Sequence, residues 1–515
     1  MKTDQAPASE STKTATSGLL GFIERVGNSV PHPAVLFLLL IVGVVLISQV
    51  LQMLGVGATY QRINLETDEI ENVTTNVRSL LSADGIRFIC TSVVANFVSF
   101  GPVGIIVVAM IGVGLAERSG LIGALIRQIV AIAPPRSLTA IVITLGVLSS
   151  IASDAGYLVL IPLGAAAFHS VGRHPLAGLA AAFAGVAAAF GANVLVKPID
   201  GILAEMTNDA VAVVDPTMSI DLTANLYFGI ASSLMLIVVC TIVTTKLVEP
   251  RLGDYRGASS QAPSDKLSAL ETRGLLFALV AFVAVAALIL LLTLPANAPL
   301  RSPETGTVIG ESPFMASLVF FIMLVFFATG MAYGIGAKTM TTADEVIAAV
   351  TTTLAGLAGL LLLFFVISQF VAYFNFSNIG TVLAVQLASS LQQAELNAGT
   401  LLLAFIAIGI VMSLPVPNIL PKWAILAPVF VPLFLKLGID PDIVLAAYRV
   451  SDSPPNVINP LLPHFALVVG FARQWQPEAG VGTIIAMMMP YAIATTIAWT
   501  LLFFVWYWLA IPFGT

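Results

Sequence analysis

Long apolar runs separated by short polar stretches dominate the chain. A run of about 20 apolar residues crosses the hydrocarbon core of a bilayer as a helix, and much shorter runs do not. On that measure the sequence predicts nine spans, at about 30–54, 100–118, 175–195, 221–246, 274–295, 313–335, 343–374, 441–470 and 482–511. Two further apolar stretches, 137–169 and 400–437, are interrupted near their middles by polar or proline residues. Each half is short for a span, so both stretches are expected to be re-entrant helical hairpins. The first run is too long for a signal-peptide core and has no obvious cleavage site. It is read as an uncleaved span behind a polar tail at 1–29. The expected fold class is therefore an all-α integral membrane protein.

Composition closes off the soluble alternatives. Hydrophobic residues make up 58% of the 515 positions and charged residues 10%, against about 25% charged in an average soluble domain. A soluble interior of this length cannot hide that much apolar surface, and disorder requires the opposite bias. A net charge of −6 leaves no nucleic-acid footprint. Cys90 and Cys240 form no disulfide framework, and four histidines without an HExxH pair offer no zinc site. With the N-terminus in the cytoplasm, 14 basic residues fall inside and six outside, Lys197 among the latter. That is the direction of the positive-inside rule. The acidic 55–86 loop then faces outward. The stretch 247–273 becomes a cytoplasmic linker between a first membrane repeat, 30–246, and a second half, 274–515, with one extra span.

The halves echo each other. Tyr157-Leu-Val-Leu-Ile-Pro162 and Trp423-Ala-Ile-Leu-Ala-Pro428 align at a constant offset that also relates Phe168 to Phe434. Ser119-Gly-Leu-Ile-Gly123 resembles Ser377-Asn-Ile-Gly380 with one gap, and Asn193-Val194 before Pro198 resembles Asn456-Val457 before Pro460. By the span count the two hairpins open from opposite sides, which makes this an inverted repeat of the kind that supports alternating access. The alternative is coincidence between Leu/Ala/Pro-rich strings.

Polar clusters inside apolar runs are the candidates for chemistry, because a charge at a helix centre costs about 2.5–3.5 kcal/mol on insertion scales. Ser149 to Gly156, at the first hairpin tip, brings Ser150, Ser153 and Asp154, hard oxygen ligands suited to Na⁺. The other reading of these residues is helix capping. Asn193, Lys197 and Asp200 flank the helix break at Pro198 and Gly201; broken helices expose carbonyls and helix ends near substrates. At the second tip Pro415, Pro417 and Pro421 are expected to forbid a continuous helix, leaving Asn418 and Lys422 as polar side chains beside Trp423, which either stacks on a ligand or sits in the interfacial belt. The run Tyr448 to Pro460 is the most polar inside any span. Arg449 and Asp452, three apart, share a helix face, and the expected arrangement is an Arg449–Asp452 pair that a substrate carboxylate opens, or a structural ion bridge. Asn375 to Asn378 is a fifth, weaker cluster.

Several of these motifs resemble the p-aminobenzoyl-glutamate (AbgT) transporter family: Val30-Pro-His-Pro33, Gly114-Leu-Ala-Glu-Arg-Ser-Gly120, Ser153-Asp-Ala-Gly-Tyr157, Lys422-Trp-Ala-Ile-Leu-Ala-Pro428, and Ala446-Ala-Tyr-Arg-Val-Ser-Asp-Ser453 with Asn459-Pro460. The resemblance implies nine spans plus two hairpins, a homodimer, and secondary transport of p-aminobenzoyl-glutamate-like or sulfonamide-type molecules. It carries functional positions over to Asp200, Trp423, Pro441, Arg449, Asp452 and Pro460. One departure stands out: Asn418-Ile-Leu-Pro421 replaces the family's hydroxyl-rich Ser-Ala-Ser-Ala before Lys-Trp, so the second tip lacks those hydroxyls.

The sequence thus predicts a multi-pass inner-membrane carrier, not an enzyme, for a small aromatic carboxylate, coupled to Na⁺ or H⁺. The expected substrate contacts are Asn418, Trp423, Arg449, Asp452, Asn456 and Pro460. The expected ion contacts are Ser150, Ser153, Asp154, Asn193 and Asp200. No cofactor or bound metal is expected beyond Na⁺ as coupling ion, and the partners are substrate, cation, lipid and a second copy. The rivals are a carrier for another small carboxylate, an ion channel, for which no TVGYG-like filter is present, and a membrane-embedded enzyme, for which no nucleophile–base set is present.

Overall fold

The computed structural model describes residues 33–63, 70–150, 156–255, 267–308, 312–393 and 397–515. The expected tail at 1–29, and Ser153 and Asp154, lie outside the described residues. Nearly everything described is helix, because an apolar chain in hydrocarbon must satisfy its backbone within the segment. Eight helices are long and apolar enough to cross a membrane: Pro33–Met53, Ala83–Arg118, Leu226–Leu252, Ala269–Thr293, Leu318–Ala337, Ala358–Phe376, Ile419–Lys436 and Val481–Trp508.

Apolar length alone misplaced several boundaries. The span expected at 100–118 starts at Ala83, where Ser82 caps the helix by accepting the Gly85 N–H; it bends at Ser99-Phe100 and resumes as Gly101–Arg118. The polar residues Asp84 and Arg87 disguised its first half, but they pair with each other on its exposed face. The stretch expected at 343–374 is likewise two helices, Ala343–Gly356 and Ala358–Phe376. Three helices were not anticipated: Leu121–Ala131, Pro198–Val211 and Ile379–Gln393. The loop after the first helix contains an antiparallel pair of strands, Gly57–Ile63 with Ile70–Asn76, Gly57 lying opposite Asn76. The Asn375–Asn378 cluster anchors it: Ser377 O accepts the Arg78 N–H, and Asn378, at φ +57°, donates to Asn76 O.

Both expected hairpins contain two helical arms. The first has Leu138–Ser149 and, beyond residues 151–155, a π-turn at Gly156–Leu160 that runs into Ile161–Ser170. The second has Ala398–Ser413 and Ile419–Lys436. Pro421 does not interrupt that last helix. It lies in the first turn, where an amide has no intrahelical acceptor to lose. The breaks expected in the spans following each hairpin are present. Pro175–Phe183 continues as a π-turn to Ala188, unwinds, and restarts at Pro198; Gly201, expected at the break, lies inside the restarted helix, where its Cα faces Leu222 and Ile105. Pro441–Asp452 gives way to a 3-10 turn at Pro454–Ile458 and resumes as Phe465–Arg473.

The halves interlock. Ala83–Val98 packs on Ala358–Phe376, and Gly101–Arg118 packs on Ala343–Gly356; Pro33–Met53 also lies on Ala358–Phe376, as Leu318–Ala337 lies on Gly101–Arg118. A two-fold relation would exchange these contacts in just this way. Gly112 backs onto the Met323 main chain and Gly330 onto Ala116, leaving no room for a side chain at either. Small residues let helices approach closely where lipid removes the hydrophobic drive. Two cores result. One surrounds the first hairpin and includes Phe465 and Tyr491 from the second half; the other surrounds the second hairpin and includes Leu203 and Phe228 from the first.

Candidate functional site

The hairpin tips meet the unwound segments through two asparagines. Asn193 Nδ2 donates to Val147 O at 3.1 Å and to Ser150 Oγ at 2.9 Å, while Asn193 Oδ1 accepts the Leu195 N–H at 3.1 Å. Asn459 Nδ2 donates to Ser413 O at 2.7 Å and Leu414 O at 3.1 Å, while its Oδ1 accepts the Leu461 N–H at 2.9 Å. Each side chain therefore ties the last turn of a hairpin's first arm to a helix break. Asn193, Val147 and Leu195 map onto Asn459, Ser413 and Leu461 at the offset that relates Tyr157 to Trp423. The Asn-Val match of Asn193 to Asn456 is three residues out of register; the constant offset and the bonds both select Asn459.

Three cations sit at membrane depth. Arg449 Nη1 lies 2.6 Å from Asp200 Oδ1 and donates to Gly191 O at 3.3 Å. Lys422 Nζ lies 2.6 Å from Asp452 Oδ1, both side chains fully buried, and donates to Ser413 Oγ at 2.6 Å. The expected Arg449–Asp452 pair is thus absent. Each residue has a partner on a different element, since helix spacing allowed the contact but tertiary packing brought better-placed charges to both. Lys197, assigned to the outside by charge counting, is 1% exposed. Its ammonium donates to Phe190 O at 2.6 Å, lies 3.5 Å from Ser150 Oγ, and stands 5.3 Å from the Phe190 ring centroid. Asp200 Oδ2 accepts the Lys197 backbone N–H at 2.7 Å, so that carboxylate caps the helix at Pro198 and pairs with Arg449 at once.

Between the tips lies a cavity of about 270 Å³. Ser150 and Tyr157 reach it from the first hairpin and Asn418 and Leu420 from the second; Lys197 and Ile202 come from one broken segment, and Asp452, Asn456 and His464 from the other. Tyr157 and His464 stack at 4.2 Å, with 12° between ring planes. Asn418 also caps the helix at Ile419, accepting the Leu420 N–H. Among the expected substrate contacts, Asn418, Asp452 and Asn456 line this cavity; Trp423, Arg449 and Pro460 do not. Trp423 is fully buried, donates its indole N–H to Thr207 Oγ1 at 3.1 Å and stacks on Tyr448 at 4.5 Å. Arg449 lines a separate pocket of about 20 Å³ together with Asn193 and Asp200. Pro460, half-buried, follows Asn459 in the unwound segment. Of the expected ion contacts, Ser150 and Asn193 are bonded to each other, and Asp200 sits with Arg449. The residue sets read from sequence omitted Lys197, Lys422 and His464. For the two lysines the signal was available, a basic residue adjoining a helix break or a hairpin tip.

These elements define a polytopic helical membrane transporter in which two helix pairs and two unwound segments line a common cavity. The chain belongs to the AbgT putative transporter family, which it matches over residues 18–515. It is 34% identical over 499 residues to the p-aminobenzoyl-glutamate transport protein of Escherichia coli (strain K12), covering 96% of both chains. The fold is similar to that of the Alcanivorax borkumensis YdaH transporter, described as having an unusual topology, with TM-score 0.87, 40% identity and coverage of 94% of this chain and 100% of that one. It is similar also to Neisseria gonorrhoeae MtrF, described as illuminating a class of antimetabolite efflux pumps, with TM-score 0.88, 40% identity and coverage of 95% and 97%.

Proposed function

We propose that the protein is a secondary active transporter that moves a small aromatic carboxylate, of the p-aminobenzoyl-glutamate or sulfonamide type, across the inner membrane by alternating access, driven by Na⁺ or H⁺. The observation that carries this reading is the cavity itself: two hairpin tips and two broken segments converge on it, and it is mostly apolar with an ammonium, a carboxylate and two amides at its wall. Ligands bind where helices unwind at the meeting of two repeats, because only there are polar groups available at membrane depth. In the same reading the chain has nine spans and two hairpins, works as a homodimer, keeps its N-terminus in the cytoplasm, and divides into a tail at 1–29, membrane repeats at 30–246 and 274–515, and a linker at 247–273.

Two routes for coupling follow. Na⁺ would take neutral oxygens around Ser150 and Asn193, together with Ser153 and Asp154. Protons would act at Asp452, whose fully buried pairing with Lys422 borders the cavity. Purified protein in proteoliposomes, tested by counterflow of labelled p-aminobenzoyl-glutamate under imposed Na⁺ or H⁺ gradients, separates these. Uphill accumulation that collapses with one ionophore identifies the coupling ion. Gradient-independent flux with single-channel conductance overturns the carrier reading.

A further inference from the structure

Two cavity-lining groups have chemistry that no described residue answers. The first is Lys197. Of the three cations around the hairpin tips, Arg449 and Lys422 each have a carboxylate at 2.6 Å. Lys197 Nζ has a carbonyl, a hydroxyl and an aromatic ring, and no carboxylate of the described residues pairs with it. The nearby Asp200 spends Oδ1 on Arg449 and Oδ2 on the Lys197 main chain. Among the described residues three cations therefore face two carboxylates, in a place where an unbalanced charge is expensive. The second group is Asn456. It is 4% exposed, lines the cavity, and its Oδ1 accepts no hydrogen bond among the described residues. A buried acceptor without a donor is the mark of a missing partner.

The geometry points to a ligand subsite in which Lys197 binds the substrate's anion and Asn456 Oδ1 accepts an N–H from the same molecule. This rests on the carrier reading above and names the chemistry of its site. The anion is not held by Arg449, which lies in a separate pocket with its charge already compensated. Ile106, Met110, Ile202, Leu360 and Leu420 supply an apolar wall, and the Tyr157–His464 stack supplies a flat one. The class that satisfies all of these is an arylamine or aryl amide bearing a carboxylate. One carboxylate placed at Lys197 balances the three-to-two charge count of the described residues.

A three-ligand panel tests the subsite on full-length protein in detergent by calorimetry or a thermal-shift titration. p-Aminobenzoate carries both groups, p-aminobenzamide lacks the anion, and benzoate lacks the N–H. p-Aminobenzoyl-glutamate is run alongside. Wild type should bind p-aminobenzoate at least tenfold more tightly than either of the others. Lys197→Gln keeps an N–H for Phe190 O but no charge, and should bring p-aminobenzoate and p-aminobenzamide to equal affinity. Lys197→Arg should keep the anion preference. Asn456→Leu should erase the preference over benzoate and leave the preference over the benzamide. A Lys197→Gln protein that retains the wild-type anion preference overturns the anchor alone. An Asn456→Leu protein that still prefers the amine overturns the acceptor role. Wild type that binds p-aminobenzoyl-glutamate but not the anion preferentially also overturns the subsite, whereas wild type that binds none of the four overturns the substrate reading with it.

Discussion

Asn193 and Asn459 share two bonds in the two halves of the chain: each gives an amide N–H to a carbonyl in the last turn of a hairpin arm and takes the backbone N–H two residues ahead. The match extends to the atoms at both ends of these two bonds, while the second amide N–H goes to Ser150 Oγ in one half and to Leu414 O in the other. Each asparagine fixes a tip to the unwound segment beside it. Tip and break are thereby positioned together, and both border the cavity.

Replacing either asparagine with alanine should strand buried carbonyls. The expected loss is about 1–3 kcal/mol in each case. Thermal unfolding in detergent should show it as a lowered midpoint for both variants. Because the two asparagines share no hydrogen-bond partner, the double variant should lose the sum of the two. A strongly non-additive result would mean that the tips communicate directly.

The Arg449–Asp200 pair joins the second broken segment to the first. Asp200→Asn should leave Arg449 buried without its counter-charge, a loss of about 3–5 kcal/mol for breaking a buried pair. Arg449→Lys keeps the charge but cannot reach Asp200 and Gly191 O with the same planar geometry. Its midpoint should fall between wild type and Asp200→Asn. The double variant Asp200→Asn/Arg449→Gln should recover part of the loss, measured by the same melts.

Asp452 and Lys422 supply the proton test. If Asp452 carries the coupling proton, Asp452→Asn should still bind p-aminobenzoyl-glutamate, yet its uptake should no longer vary between pH 5.5 and pH 8. Lys422 then loses its counter-ion, so the variant should also unfold at a lower temperature than wild type. Transport that keeps its full pH profile in Asp452→Asn leaves the pair as a structural bridge.

Trp423 divides packing from recognition. Its ring stacks on Tyr448 and its N–H reaches Thr207, away from the cavity wall. Trp423→Phe should keep the stack and lose only the hydrogen bond, about 0.5–1.5 kcal/mol. Thr207→Val should add little in that background, since one bond cannot be lost twice. The apparent KM for substrate should change by less than about twofold. A tenfold rise in KM without a drop in melting temperature would place the ring against the substrate instead.

Much was legible before folding was considered. Apolar length alone predicts the membrane class, because the bilayer imposes one length scale on every span and forbids unsatisfied backbone within it. The helix pairs within 137–169 and 400–437 and the breaks beside Pro198 and Pro454 were readable for the same reason: proline and small polar residues in an apolar run leave the backbone few alternatives. The offset between Tyr157 and Trp423 announced the repeat. Helices with polar residues on one face, such as Ala83–Val98, escaped that filter, because composition along the chain does not report which face a side chain occupies.

What only the tertiary structure decided was the pairing of charges. Arg449 and Asp452 sit one helical turn apart, and nothing in their spacing reveals that Asp200 and Lys422, from distant elements, take them instead. Lys197 likewise reads as a loop residue until both hairpins close around it. Helical spacing is local and sets which residues share a face. A buried ion pair is set by which faces meet: Arg449 and Asp200 come from opposite halves of the chain, and Lys422 and Asp452 from different helices of the second half.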